Sequence, residues 1–179
     1  MAKREETEIS QFDSDDLLAL WMQIRNGKAS DEWQAGKAFE YLILRAFELE
    51  EADVVWPYSV TLEGFEVEQI DGVVYSHGLV CLIEAKDYTP NVAIAPIAKL
   101  RNQLLRRPAT VIGVVFSKSG FTENALTLTR YSSPQRILLW EGTDLDFALR
   151  NRQMRPGLEL KYRHAVEHGL PNFRLKEPL

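Results

Sequence analysis

The sequence predicts an α/β protein built on one mixed β-sheet with flanking helices. Segments with helical periodicity alternate with short apolar segments that are typical of strands. Residues 110–116 form a continuous apolar run, which indicates a strand covered on both faces. Residues 69–86 contain two apolar runs joined by a short turn with a glycine, which is typical of a β-hairpin. Helices on both sides of these strands favour a layered α/β architecture.

Composition limits the class of protein further. The chain has 179 residues, 45% of them hydrophobic, which suits a single domain over 1–179. Within it we expect a flexible segment at 1–13, a core at about 30–140 and a helical extension at about 143–170. No apolar run is long enough for a membrane span, and no apolar segment of a signal peptide follows Met1. With a single cysteine, these features predict a cytoplasmic protein without a membrane partner.

Two helices are predicted before the first strand. Ser14 is a good N-cap, and Asp15 and Asp16 in the next turn are favourable at a helix N-terminus. The second helix is predicted to begin at Ser30 and to run to about Glu51, with apolar residues at helical spacing.

Strands are predicted for residues 54–70, ahead of the hairpin. Residues 54–60 resemble a strand that Pro57 interrupts or places at an edge. Residues 65–70 alternate in polarity and lead into Asp71, after which the hairpin turns at 76–78.

Helices and strands alternate in the rest of the chain. In order, we expect a helix at 94–107 with Pro96 in its first turn, the strand at 110–116, a helix capped by Thr122, a strand at 136–140, a short helix capped by Thr143 and, after an interruption at Pro156 and Gly157, a helix at 158–168.

Charged residues lie at the ends of the apolar hairpin strands. Glu84 and Lys86 point to the same side because side chains alternate along a strand. Adjacent strands are about 4.8 Å apart, so the Asp71 carboxylate can approach Glu84. Two such carboxylates repel unless a cation lies between them, and oxygen ligands suit Mg²⁺. The pattern predicts a magnesium site with Lys86 beside it. The alternative is a structural hairpin in which Lys86 pairs with Asp71 or Glu84.

Two segments carry a resemblance to a known family. Asp71 followed by Glu84-Ala85-Lys86 resembles the PD-(D/E)XK nuclease superfamily, although Ile70 stands where that pattern has a proline. The text QIDGVVYSHGLVCLIEAKDY at 69–88 resembles the Mrr-type restriction endonucleases and the nuclease-related (NERD) domains. Residues 117–126 independently resemble the Ser-Gly-Phe-Thr segment of the Mrr-type enzymes.

The resemblance implies a restriction-endonuclease-like core and a metal-dependent nuclease that hydrolyses phosphodiester bonds, with DNA as the expected substrate. It also implies a role in restriction, repair or defence. Asp71, Glu84 and the Ala85 carbonyl would bind Mg²⁺, for which Mn²⁺ can substitute. Lys86 would orient the attacking water or stabilise the transition state. A catalytically silent nuclease-fold module for nucleic-acid binding or protein assembly is the alternative function.

Two helical residues are further site candidates by the same resemblance. Glu40 follows Phe39 where the family's first core helix often carries a glutamate directed at the metal. Gln103 is a candidate for orienting the site, but Arg107 replaces the aromatic residue that often follows four positions later. The alternative for both side chains is an ordinary solvated position on a helix.

Charge is distributed unevenly along the chain. The net charge is −5, but residues 1–72 carry −11 and residues 73–179 carry +6. A basic second half can face a phosphate backbone, and Lys99, Lys118 and Arg130 are the first candidates for this contact. No separate DNA-reading module is evident in the sequence, so a homodimer or a separate specificity partner is expected to supply recognition.

Overall fold

The computed structural model describes residues 2–28, 33–131 and 137–175, with side chains from residue 5 onwards. A five-stranded mixed sheet with the strand order β1-β4-β5-β6-β7 forms its centre, and β2 and β3 form a separate two-stranded sheet. The elements are α1 (Ala2–Ile9), α2 (Ser14–Arg25), α3 (Lys37–Leu49), β1 (Asp53–Val55), β2 (Tyr58–Leu62), β3 (Phe65–Ile70), β4 (Gly72–Ser76), β5 (Leu79–Lys86), α4 (Ile94–Leu104), β6 (Val111–Ser117), α5 (Glu123–Tyr131), β7 (Ile137–Trp140), α6 (Gly142–Asn151) and α7 (Met154–His168).

The central sheet confirms the predicted fold class. β1, β4 and β5 are antiparallel neighbours, whereas β5, β6 and β7 are parallel and are joined by α4 and α5. Every residue of β6 is buried, as expected for a strand covered on both faces. No helix of the described residues is long and apolar enough to cross a membrane.

Alternation along β5 separates two hydrophobic cores. Cys81, Ile83 and Ala85 face the larger core, which contains α2, α3, α6 and α7. Leu82 faces the smaller core, which α4 and α5 cover. Because Glu84 has the same parity as Leu82, its side chain points to the α4 side of the sheet.

The first 36 residues differ from the sequence prediction. A helix, α1, forms where a flexible segment was expected, and its last residue, Ile9, is fully buried in the larger core. The prediction that Ser14 caps α2 is wrong, because Asp13 is the N-cap and accepts hydrogen bonds from the backbone N–H groups of Asp15 and Asp16. Its carboxylate has two acceptor oxygens and sits one residue earlier, where the extended backbone aims it at the helix.

The second predicted helix begins later than expected. Ser30 lies outside the described residues, and α3 starts only at Lys37. Residue 36 has a left-handed backbone with a φ of +81°, through which a right-handed helix cannot continue. The end of α3 at Leu49 is close to the predicted end at Glu51.

Pro57 separates two strands that belong to different sheets. β1 pairs with β4 in the central sheet, whereas β2 pairs with β3 alone. The prediction of one strand that Pro57 interrupts or edges therefore misses the change of sheet. β3 then carries the chain back towards the central sheet at Asp71.

The C-terminal elements include one confirmed cap and two corrections. Thr122 accepts a hydrogen bond from the Ala125 N–H at 3.2 Å and caps α5 as predicted. The cap of α6 is Glu141 rather than Thr143, because the helix already begins at residue 142. Pro156 and the following glycine lie inside the first turn of α7 instead of interrupting the chain, since a proline there leaves no helical hydrogen bond unmade. Residue 136 of the strand predicted at 136–140 lies outside the described residues.

Candidate active site

The change from the small sheet to the central sheet places two carboxylates side by side. Gly72 pairs with Ile83 across the hairpin, so the antiparallel register brings Asp71 opposite Glu84. The Ala85 N–H donates a hydrogen bond to Asp71 Oδ2 at 2.9 Å. Asp71 is 4% exposed and Glu84 is 1% exposed. Sequence alternation and hairpin register thus produce a buried pair of acidic side chains.

Lys86 lies one strand repeat beyond Glu84, on the same side. Its Nζ atom is 2.6 Å from Glu84 Oε1 and 3.9 Å from Asp71 Oδ2. Burial lowers the pKa of Lys86, but the negative charges of Glu84 and Asp71 outweigh burial and raise it overall. The ammonium therefore stays charged and lies between the two carboxylates.

A second lysine reaches Glu84 from the neighbouring helix. The Nζ atom of Lys99, on α4, donates to Glu84 Oε1 at 3.1 Å and to Oε2 at 2.9 Å. The Lys99 side chain is 45% exposed, whereas Lys86 is 18% exposed. Lys99 was predicted only as a phosphate contact, and the structure places it in direct contact with the acidic pair.

Glu40 is brought to the same end of the hairpin by the close approach of α3. A Cβ atom added to Gly72 would lie 2.5 Å from Leu44 Cδ2, so glycine allows Leu44 to touch the strand beside Asp71. Glu40 lies one helical turn before Leu44 on the same face of α3. Its side chain is 12% exposed and pairs with Lys37. Burial, and after it the negative charge of Asp71, raise the pKa of Glu40.

The electrostatics of Asp71 follow from this arrangement. Burial is the largest cause that raises its pKa, and the charge of Glu84 is the next. Lys86, the Ala85 N–H and Lys99 act in the opposite direction, but the net pKa is raised. The fold therefore holds Asp71 and Glu84 together against their mutual repulsion.

The donor atoms of the acidic pair fit a hard divalent cation. The described residues contain no group of three or more His, Cys, Asp or Glu side chains arranged to hold a metal ion. Asp71 and Glu84 offer carboxylate oxygens only, which suit an ion such as Mg²⁺ that takes its other ligands from water and phosphate. Such an ion would also relieve the repulsion between the two carboxylates. For Ala85, the structure shows the N–H bonded to Asp71, and the role of its carbonyl stays a prediction.

Gln103 is buried and supports the strand that leads to Asp71. It is 4% exposed, and its Nε2 donates to the Gln69 carbonyl at 3.0 Å. The alternative of a solvated side chain is therefore wrong. Gln103 holds the backbone of β3 two residues before Asp71.

A buried ion pair next to Gln103 escaped the sequence analysis. Glu68 on β3 is 8% exposed and binds Arg106 and Arg107 at the end of α4, with Arg107 Nη2 at 2.5 Å. Arg107 Nη1 also donates to the Gln103 carbonyl at 3.2 Å. Arg107, which replaces an aromatic residue of the family pattern, thus fixes β3 to α4. The parity of Glu68 with the buried Ile70 was the available signal.

The two remaining basic candidates lie at different ends of the molecule. Lys118 follows β6, its N–H donates to the Lys86 carbonyl at 3.1 Å, and its side chain pairs with Asp87. Arg130 is in the last turn of α5, which runs back from that loop between two parallel strands, and it bonds to Asn172 at 3.3 Å. Lys118 and Lys99 therefore lie at the end of the sheet with the acidic pair, and Arg130 lies away from it.

The Ser-Gly-Phe-Thr segment braces the loops around the site. Ser117 Oγ donates to the Gly120 carbonyl at 2.7 Å and accepts from the Gly120 N–H at 2.9 Å. Ser119 Oγ donates to the Pro90 carbonyl at 2.9 Å, and Val92 forms a β-bridge with Phe121. These bonds tie the loop after β5 to the loop after β6, beside Lys86.

One family model covers the whole of the candidate site. The family model Mrr_cat, described as restriction endonuclease, matches residues 32–148, which include every site candidate from Glu40 to Arg130. No curated protein matches the chain. The chain is also similar to a solved structure of the MspJI restriction endonuclease in complex with a 27-mer oligonucleotide, at 20% identity and a TM-score of 0.45. That match covers 93% of this chain and 39% of the MspJI chain.

Proposed function

Because the chain belongs to the restriction endonuclease family Mrr_cat, within the PD-(D/E)XK superfamily, we propose that it is a divalent-metal-dependent nuclease that hydrolyses phosphodiester bonds of DNA. We expect Mg²⁺ as the cofactor, with Mn²⁺ able to replace it. A role in restriction, repair or defence follows from the same family.

The observation that carries this proposal is the Asp71–Glu84–Lys86 cluster. Two carboxylates that are at most 4% exposed face a lysine ammonium that is 2.6 Å from one and 3.9 Å from the other. Strained pairs of like charge with a specific charge partner are typical of functional sites. The three residues also match the superfamily pattern position by position, on two adjacent strands.

Each residue has a distinct chemical task in this proposal. Asp71 and Glu84 would hold the metal ion, which when bound would lower the pKa of water and neutralise charge on the phosphate. Lys86 keeps its proton and donates hydrogen bonds, so it orients the attacking water and stabilises the charge that develops on the phosphate oxygens. Glu40, whose pKa the charge of Asp71 helps to raise, would hold a further water or ion at the edge of the site.

Cleavage assays with matched variants test the proposal. The purified chain is incubated with supercoiled and linear DNA in Mg²⁺, Mn²⁺ or EDTA. We expect cleavage in either metal ion and about 100-fold or greater loss in Glu84→Gln, because the variant loses a charged ligand of the metal ion. Glu66→Gln is the control, since it makes the same change on an exposed position of β3 and should cleave like wild type.

One observation favours a second candidate, a catalytically silent DNA-binding or assembly module. Glu84 already has two lysine partners, so its charge is compensated without a metal ion. In this case no divalent ion would bind in a manner that depends on Glu84. Calorimetry with Mn²⁺ on wild type and Glu84→Gln separates the two functions. Only the nuclease is expected to bind Mn²⁺ at a site that Glu84→Gln removes.

A further inference from the structure

We propose that Lys99 is a displaceable counter-ion of Glu84, which a divalent cation drives off the carboxylate and which then binds a DNA phosphate. The inference rests on the proposed metal site and adds the order in which its charges exchange. It makes Lys99 a positioning residue that couples metal binding to DNA binding.

The first argument is the surplus of cations on Glu84. Lys86 lies 2.6 Å from Glu84 Oε1 and 3.9 Å from Asp71 Oδ2. Lys99 contacts both Glu84 oxygens, at 3.1 and 2.9 Å. A metal ion on Glu84 needs one of these oxygens at about 2.1 Å and repels an ammonium beside it. A metal ion that binds Glu84 therefore displaces Lys99.

The second argument concerns which lysine can leave. The Lys99 side chain is 45% exposed, so water already reaches its ammonium, whereas Lys86 is only 18% exposed. Leaving a buried carboxylate for water costs a half-exposed lysine far less than it costs a buried one. The exchange thus selects Lys99 and leaves Lys86 at the site.

The third argument is that α4 itself stays in place. Leu100, next to Lys99, is fully buried, and a Cβ atom added to Gly113 of β6 would lie 2.7 Å from Leu100 Cδ2. This close contact fixes the backbone of α4 against the sheet. Release of Lys99 is therefore a rotation of its side chain, which keeps the ammonium within a few ångströms of the site.

The destination of the freed ammonium follows from charge. A phosphate at the metal site is the strongest anion near Lys99 once Glu84 is occupied, and a lysine donates readily to phosphate oxygens. Metal binding then increases DNA affinity and, by reciprocity, DNA increases metal affinity. In Lys99→Met this part of the coupling is absent.

Calorimetry with Mn²⁺ alone, without DNA, tests whether a divalent cation displaces Lys99 from Glu84. Lys99→Met should bind Mn²⁺ about three- to tenfold more tightly than wild type, because no ammonium competes for a partly exposed ion pair. Lys118→Met is the matched control, since it removes a lysine that pairs with Asp87 instead of Glu84. Its affinity should change by less than about twofold through screened long-range charge.

The possible results separate this inference from the proposed function. Mn²⁺ binding that Glu84→Gln abolishes, with equal affinities in Lys99→Met and Lys118→Met, overturns the role of Lys99 and leaves the metal site intact. If neither wild type nor Lys99→Met binds Mn²⁺, both the proposed metal site and the role of Lys99 are overturned. Circular dichroism confirms that each variant is folded, and Lys99→Gln repeats the test with a polar side chain.

Binding of a DNA duplex across a salt series tests whether the freed Lys99 binds a phosphate. A denaturing gel checks that the duplex stays intact. In Ca²⁺, Lys99→Met should flatten the slope of log K against log salt by about 0.9, the loss of one phosphate contact. In EDTA the slope should equal that of wild type, since Lys99 is held on Glu84. A slope that falls equally in both conditions, or in neither, overturns the transfer of Lys99 to phosphate.

Discussion

The Lys161–Asp144 pair and the Glu84 cluster are both buried groups of charge, but their hydrogen bonds are arranged differently. Lys161 is buried completely, and its ammonium donates to Asp144 Oδ2 at 2.8 Å, to the Leu139 carbonyl at 2.9 Å and to the Phe173 carbonyl. The remaining oxygen of Asp144 accepts from the Leu175 N–H at 2.8 Å. An ammonium has three donors, and all three have partners in the protein.

The Glu84 cluster is compensated in charge but has bonds that can exchange. The side chains of Lys86 and Lys99 and the Ala85 N–H contact its two carboxylates, and the Lys99 side chain is half exposed. Burial is the largest cause of the raised pKa of Asp71, and the repulsion from Glu84 acts in the same direction. We therefore expect the cluster to exchange one cation for another and the Lys161–Asp144 pair to keep its own.

The difference shows that burial of a charge does not by itself indicate function. Around Lys161, backbone groups of β7 and of the C-terminal segment saturate the pair, and the bonds join α6, α7 and β7. Such a pair specifies how elements dock. Around Glu84, like charges are close and one partner reaches solvent, which is the arrangement expected where an ion and a substrate bind.

The largest expected effect is on stability, at Lys161. Lys161→Met should lower the free energy of unfolding by about 3–5 kcal/mol, because Asp144 keeps a buried charge without its cation. Urea unfolding measures this loss. The double variant Lys161→Met, Asp144→Asn should recover part of it, and a single-variant loss below about 1 kcal/mol would contradict the structural role.

The second prediction concerns Asp71, where we expect a large effect on cleavage and a small effect on stability. Asp71→Asn should reduce cleavage by about 100-fold while the free energy of unfolding changes by less than about 1 kcal/mol. The amide oxygen can still accept from the Ala85 N–H, and the repulsion with Glu84 disappears. Cleavage and urea unfolding are measured on the same preparation. A large loss of stability would show that Asp71 is structural in the same sense as Lys161.

Gln103 is intermediate between the structural Lys161–Asp144 pair and the candidate site. It is buried and hydrogen-bonded, but it supports the strand that leads to the site. Gln103→Leu leaves the Gln69 carbonyl without its donor and should cost about 1–3 kcal/mol of unfolding free energy. Because β3 leads into Asp71, cleavage should also fall, by less than in Asp71→Asn. Gln103→Glu is the companion variant, since it keeps the shape but cannot donate when ionised. Full activity in Gln103→Leu would show that β3 needs no support from α4.

The same contrast explains what the sequence could predict. The relation of Asp71, Glu84 and Lys86 depends on strand alternation and one hairpin register, which are local properties. The contacts of Lys99 and Lys161 depend on how helices dock on the sheet, which no local pattern specifies.

Errors in the local predictions have equally local causes. Asp13 and Ser14 are both strong N-cap residues, so propensity could not choose between them. Pro57 was recognised as a strand edge, but its role between two sheets depends on the pairing of β2 with β3. The N-terminal helix depends on burial of Ile9 by distant elements, which the polar composition of the segment does not reveal.

A third charge cluster lies around Asp146. It tests whether an ion pair with many hydrogen bonds but little burial contributes to stability. Asp146 accepts from the Trp21 Nε1–H, from Arg25 Nη1 and from Arg150 Nε at 3.0, 3.0 and 2.8 Å, but the two arginines are about half exposed. Burial raises the pKa of Asp146, but the hydrogen bonds from Arg150 and Trp21 and the charges of both arginines outweigh burial and lower it.

The smallest expected effect therefore belongs to Asp146→Asn. A carboxyl group with a lowered pKa stabilises the fold above its unfolded-state pKa, and this contribution is lost as the pH falls through the folded-state pKa. At pH 7 the variant should lose less than about 1 kcal/mol, since solvent screens the arginines. Urea unfolding of both proteins from pH 7 downwards should show a constant difference that shrinks below the ordinary aspartate pKa of 3.8. A loss as large as that of Lys161→Met would mean that satisfied hydrogen bonds alone let a charge cluster stabilise the fold, without the need for burial.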